Sequence, residues 1–251
     1  MNSSIFKKLM MLSQRNAKES KRTLTRYRAQ IIASTIVYSI FLLIVFILLN
    51  FLVYYLSLSS LIVNLLYIFA FVFIIMPIRL GRSLYALNLI KGNIFSASQI
   101  FIPFKIELLT SYVLIFLEIQ CVRALSFLPL AAGGLLLLTL PLNIFGIILV
   151  RIGVYIVTLQ ISGLSQVYFI IAHNPLMKSR SVIKHSFELM KGFHLRWLAM
   201  AITFIGWWIL DIITLGVSGI WSRPLWDISA ARFHFKLMKY RKRSAQTKSA
   251  K

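Results

Sequence analysis

Long apolar runs separated by short basic stretches set the plan of this chain. The stretch IIASTIVYSIFLLIVFILLNFLVYY, residues 31–55, contains no charged residue. A helix needs about 20 such residues to cross a hydrocarbon core, so the run predicts a transmembrane helix. It is too long for the apolar part of a cleavable signal, and a basic arm precedes it. After the uncharged break SLSS, residues 61–78 predict a second crossing. Three further runs follow between Lys105 and Lys178, at 106–128, 134–150 and 152–172. The last pair of predicted crossings is 197–215 and 219–235, joined by the turn GVSG.

One stretch breaks this rhythm. HNPLMKSRSVIKHSFELMKGFHLRW, residues 173–197, is polar and basic between two apolar regions. Asn174 followed by Pro175 reads as a helix start, since Asn caps and Pro suits the first helical position. Leu176, Ile183, Phe187 and Met190 share one face, Lys178, Arg180, Lys184 and Glu188 the other, and Gly192 ends the helix. The pattern predicts an amphipathic helix, either lying on the membrane surface or packed on the protein's own inner face.

Charge fixes the expected orientation. All of the 28 basic residues except Arg123 and Arg151 fall into four clusters: the N-terminal arm, the segment 79–105, the segment 173–196, and the chain from Arg223 onward. The breaks SLSS and PLAAGG carry no charge. Because cytoplasmic loops collect Lys and Arg, the clusters are expected inside and the breaks outside. That demands an even number of crossings between clusters, so 134–172 is read as one long element bent near Pro141 or Gly153. Its crossing part is set at 134–157, with the remainder along the inner interface. The expectation is an all-α polytopic protein: a basic arm 1–30, one transmembrane domain 31–235 with six crossings, and a basic tail 236–251, both termini cytoplasmic. Composition agrees, with 59% hydrophobic and 14% charged residues, against about a quarter charged in soluble domains. The formal charge of +22, which in a soluble chain would suggest nucleic acid, is explained by positive-inside anchoring, and no nucleic acid is expected. The single Cys121 excludes an internal disulfide.

YFIIAHNPLMKSRSVIKHSFELMKG resembles the signature of the bacterial membrane family called domain of unknown function 975. FHLRWLAMAITFIGWWILDIITLGVSGIW is similar to that family's next segment, RNAKESKR to its N-terminal basic motif, and GNIFSASQIFIPFK to its second cytoplasmic loop. The resemblance is most specific over residues 168–221, and 129–166 is longer and more apolar than the family pattern. It implies a multi-spanning protein of a bacterial cytoplasmic membrane and no particular activity.

Candidate chemistry is sparse. Gly216-Val217-Ser218-Gly219 has the look of an intramembrane serine hydrolase turn, but such a serine needs a base within hydrogen-bond reach. His173, His185, His194 and His234 all fall on the opposite side of the predicted topology. No phosphate-binding loop, dinucleotide fingerprint or zinc-protease motif is present, and neither enzyme activity, cofactor nor metal is expected. More informative are the charges inside apolar runs: Glu118, Arg123, Arg151, Asp211, Arg223 and Asp227. Ionisable groups there face the protein interior or water. Glu118 and Asp211 are expected to face Arg123 and Arg223, Arg223 and Asp227 to neutralise one another at i, i+4, and Arg151 to snorkel to the inner interface. Such a cluster is either a structural ion-pair network or a solute or proton site. The basic residues flanking the membrane, Arg22, Arg26 and Arg28 before it and Lys239, Arg241, Lys242 and Arg243 after it, are candidates for anionic lipid headgroups. The leading functional expectation is a non-enzymatic accessory or assembly partner of a membrane transport, secretion or envelope system. A small solute transporter or channel is the alternative.

Overall fold

The computed structural model describes residues 16, 18–23, 25–57, 59–92, 97–139, 144–175 and 177–249, and the regular structure among them is helical throughout. The long elements are α1 (Arg28–Tyr55), α2 (Ser60–Ala70), α3 (Met76–Lys91), α4 (Ile106–Thr139), α5 (Ile144–Gly163), α6 (Val167–His173), α7 (Ser179–Met190), α8 (His194–Ile202), α9 (Ile205–Ile213) and α10 (Gly219–Ser249). A π-turn, Phe71–Ile75, joins α2 to α3. It falls just ahead of Pro77, whose ring and missing N–H disrupt an unbroken i→i−4 ladder. A 3₁₀ turn, Leu164–Gln166, joins α5 to α6. Five helices are long and apolar enough to cross a membrane: Arg28–Tyr55, Ser60–Lys91, Tyr112–Thr139, Ile144–His173 and His194–Ile213. This is an all-helical membrane protein. The segment 219–235 is not among the five, because Arg223, Asp227, Arg232 and His234 dilute its apolar character.

Several predicted boundaries move. The second apolar run does not end at Ile78: its helix continues through Arg79 and Arg82 to Lys91, where Gly92 caps it at φ 80°. The third does not end at Leu128. PLAAGG is not a break but part of α4, which continues to Thr139. A Cβ on Gly133 would lie 2.8 Å from the Val150 nitrogen, and one on Gly153 would lie 2.7 Å from that of Leu130. These glycines therefore let α4 and α5 approach closely as a hairpin, as small residues do between membrane helices. Gly153 sits in continuous helix, and Pro141 lies outside the described residues. The helix after His173 begins at Ser179, not at Pro175; Asn174 instead caps the end of α6, its N–H donating to the Ile170 carbonyl.

The buried core gathers at one end. One cluster joins Leu87 of α3 to Phe169, Met190, Met200 and Phe233. A second joins Leu80 to Ile119, Val167 and Val182, and a third joins Ile78 and Tyr85 to Ile31, Ile100 and Ile228. All three share α3, so the segment read as the start of a cytoplasmic loop is the central helix. The 3₁₀ segment Ala97–Phe104 also folds in, with Ile100 buried against α3. The predicted amphipathic helix is α7, and it packs on this core through Val182, Ser186, Leu189 and Met190. By contrast, only 6% of the most apolar stretch of α1, and of α4, is buried within the protein.

Gly81 fixes the 3₁₀ segment, because a Cβ there would stand 1.9 Å from the Ile100 carbonyl oxygen. Gly81→Ala is expected to destabilise the protein by about 1–3 kcal/mol through overpacking, read as a lower thermal midpoint in detergent. Gly134→Ala, with nothing within 4 Å, should leave the midpoint unchanged or raise it. Equal midpoints for the two variants would refute the close approach.

Candidate functional site: a charged cavity beside α3

Two carboxylates, Asp227 and Asp211, organise the polar interior. Asp227 of α10 accepts from Arg82 of α3, with Nε at 3.0 Å and Nη2 at 2.5 Å from Oδ2. Both side chains are about four-fifths buried. The Arg82 guanidinium also lies 4.9 Å from the centre of the Tyr38 ring of α1. The Tyr38 hydroxyl accepts from Arg223 Nη1 at 2.7 Å, so one tyrosine touches both arginines. Asp211 of α9 is held by the turn: Ser218 Oγ donates to it at 2.6 Å, and the Gly216 N–H donates to its carbonyl oxygen. Ser222 Oγ reaches it at 3.4 Å, and Arg223 Nε stands 3.8 Å away.

A half-open cavity of about 350 Å³ adjoins this network. Arg79, Arg82 and Arg223 line it with Asp227, and Tyr38, Trp208 and Trp226 form its aromatic walls. Trp226 also receives the edges of Trp197, Phe204 and Trp208, which locks α8 and α9 to α10.

Of the six charges within apolar runs singled out in the sequence, the fold thus gathers Asp211, Arg223 and Asp227 and leaves Glu118, Arg123 and Arg151 outside. Arg223 does face Asp211. The expected i, i+4 pair of Arg223 with Asp227 does not form, because Arg82 takes Asp227 and Tyr38 takes Arg223. Glu118 does not meet Arg123. It accepts from Ser179 Oγ at 2.7 Å, at the start of α7, where helix N–H groups favour a carboxylate. Arg123 donates to Gln120 of its own helix and has Tyr168 and Arg79 as electrostatic neighbours. Arg151 lies two turns from the start of α5 and is exposed. Arg79, Arg82 and Tyr38 were missed. The two arginines end a hydropathy run and so read as loop, although Lys91-Gly92 carries the signal of a helix end.

The other candidates resolve into structural contacts. Ser218 faces a carboxylate rather than a histidine. The His173 and His234 rings lie 5.4 Å apart in a tilted arrangement, and His234 Nδ1 lies 3.0 Å from Gln166 Oε1. His194 Nδ1 lies 2.7 Å from Ser162 Oγ, but Ser162 is fully buried and closed to a substrate. Among the described residues, no three His, Cys, Asp or Glu come together as a metal site. Arg22, Arg26, Arg28, Lys239 and Lys242 are exposed. Arg241 is engaged internally, donating to the carbonyls of Glu188 and Lys191 at the end of α7. The Arg243 side chain lies outside the described residues. Residues 18–23 lie against α10, with Glu19 bonded to Arg232 and Lys236 at 3.3 Å.

Residues 10–241 match the family described as protein of unknown function (DUF975). The chain belongs to that family. The match spans the five apolar helices and the whole charged cavity, so both lie within the DUF975 region. No curated protein and no solved structure matches the chain.

Asp227→Leu would leave Arg82 buried without its partner and is expected to cost about 3–5 kcal/mol. Replacing both, Arg82→Met with Asp227→Leu, should recover most of that loss in a thermal or denaturant titration. A double variant no more stable than the single would show that the pair does not act as a unit.

Proposed function

We propose that this protein is a six-crossing integral protein of a bacterial cytoplasmic membrane with both termini inside. We further propose that it acts as a non-enzymatic accessory or assembly partner of a membrane transport, secretion or envelope system. The sparse burial along α1 and α4, 6% of the most apolar stretch of each, carries this reading. Apolar helix surface that a protein leaves uncovered is available to lipid or to other membrane helices, whereas a self-contained solute path needs helices that seal against one another.

Six crossings are supported by the α8–α10 hairpin. Ser218 meets Asp211 at the turn, and the Phe193 ring meets that of Tyr240, 5.1 Å away, at the other end. Residues 219–240 therefore run back along all of α8 and α9, a length of about 33 Å. The orientation follows from the basic arm, α7 and the tail, which share one end. Anionic lipid headgroups are proposed partners of the exposed Arg22, Arg26, Arg28, Lys239 and Lys242. A small-solute transporter is the second reading, favoured by the charged cavity.

For topology, single cysteines at Ser59 and Val217 in a Cys121→Ser background should react with an impermeant maleimide in intact cells. Cysteines at Lys178 and Gln246 should react only after lysis, and labelling of Gln246→Cys in intact cells would defeat the six-crossing arrangement. For function, photo-crosslinkers at Leu48 and Leu138 are expected to give one discrete heterologous membrane adduct in native membranes. Purified protein that alone moves a solute across proteoliposomes, with no such adduct, would overturn the accessory reading in favour of transport.

A further inference from the structure

Charge does not balance around the cavity. Arg82 is satisfied by Asp227. Arg223 gives one N–H to a neutral phenol and stands 3.8 Å from Asp211, which two serines already serve. Arg79 lines the same cavity, and its guanidinium lies 5.1 Å from the centre of the Tyr168 ring. Among the described residues it has no carboxylate partner. Its electrostatic neighbour on α4 is a second arginine, Arg123. Uncompensated guanidinium groups on membrane helices are costly, and a bound anion is the direct remedy.

The shape of the site narrows the anion. A guanidinium presents a planar fork of donors that suits phosphate in a bidentate arrangement. The lining is amphiphilic: Leu42, Ile75 and Trp208 line the cavity beside the arginines, and Ile75 and Trp208 are 40% and 44% exposed. Cationic and apolar side chains lining one cavity fit an amphiphile that sets its headgroup against the arginines and its chains against the apolar residues.

We propose that this cavity binds a phosphate group through Arg79 and Arg223, with Arg82 held as a fixed wall by Asp227. The same chemistry is offered by a phospholipid headgroup and by a free phosphate ester. The site does not depend on the partner reading, since an assembly component and a transporter can each hold such a ligand.

Full-length protein purified in mild detergent would be mixed with phosphatidylglycerol, with phosphatidylcholine, or with inorganic phosphate. Retention would be followed by native mass spectrometry and the thermal midpoint by scanning. The expected result is retention of phosphatidylglycerol over phosphatidylcholine, weakened about tenfold or more in Arg79→Gln, as loss of one charge-assisted contact predicts. Arg79→Lys should restore part of it, and Arg180→Gln on the exposed face of α7 should leave it unchanged. A midpoint raised by inorganic phosphate in an Arg79-dependent manner, with no lipid retained, would support the site and assign it to a free phosphate ester. Because Arg79 has no carboxylate partner, Arg79→Gln should keep the wild-type elution profile and helicity. If neither probe binds, or if Arg79→Gln binds as wild type does, the proposal is overturned.

Discussion

The Arg82–Asp227 ion pair is the constraint on which the rest of the arrangement depends. It ties α3, the helix common to all three buried clusters, to α10, the helix that closes the bundle. Two charges on membrane helices are tolerable only when each supplies what the other lacks, and here Tyr38 adds a ring face to Arg82 and an acceptor to Arg223. The pair fixes the relative height of α3 and α10, and Tyr38 carries that registration to α1. Through Arg223 and Asp211 the same network reaches α9 and the tight turn that follows it. Polar contacts of this kind specify register where apolar helices, equally at ease with lipid, do not.

Around this anchored core the molecule changes character. Near the basic end, side chains interdigitate: Phe169, Met190, Met200, Phe204 and Leu237 are nearly inaccessible, and Arg241 caps the last carbonyls of α7. Toward the opposite turns, the Tyr67 hydroxyl donates to Asn50 across the α1–α2 hairpin, and close glycine contacts hold α4 to α5. Such unequal packing is stable in a bilayer, because lipid replaces water on the exposed faces and little is lost by leaving them apart. A body rigid at one end with loosely packed helices at the other suits a protein that meets others within the membrane.

Much of this was legible in the chain. The apolar runs gave the membrane helices, since length and the absence of charge are properties of a segment by itself. The amphipathic helix was readable from its 3.6-residue pattern, although its buried stripe, Val182–Ser186–Leu189, lies one position back from the sequence-based face. The boundaries misread had a common cause. Arg79 and Arg82 look like loop because they are charged, and PLAAGG looks like a turn because it holds proline and glycine. Hydropathy measures what a residue meets on average, not which partner it finds.

Sequence alone therefore determined the class of molecule and its all-helical membrane plan, because both follow from a local free energy of transfer. Only the tertiary structure decided that Asp227 pairs with Arg82 rather than with its helix neighbour Arg223. It likewise decided that Glu118 meets the start of α7 and that Arg79 lines the cavity with, among the described residues, no carboxylate partner of its own. These outcomes join residues 61 and 145 positions apart along the chain. They depend on how whole helices rotate and stagger against one another, and no short-range pattern encodes that.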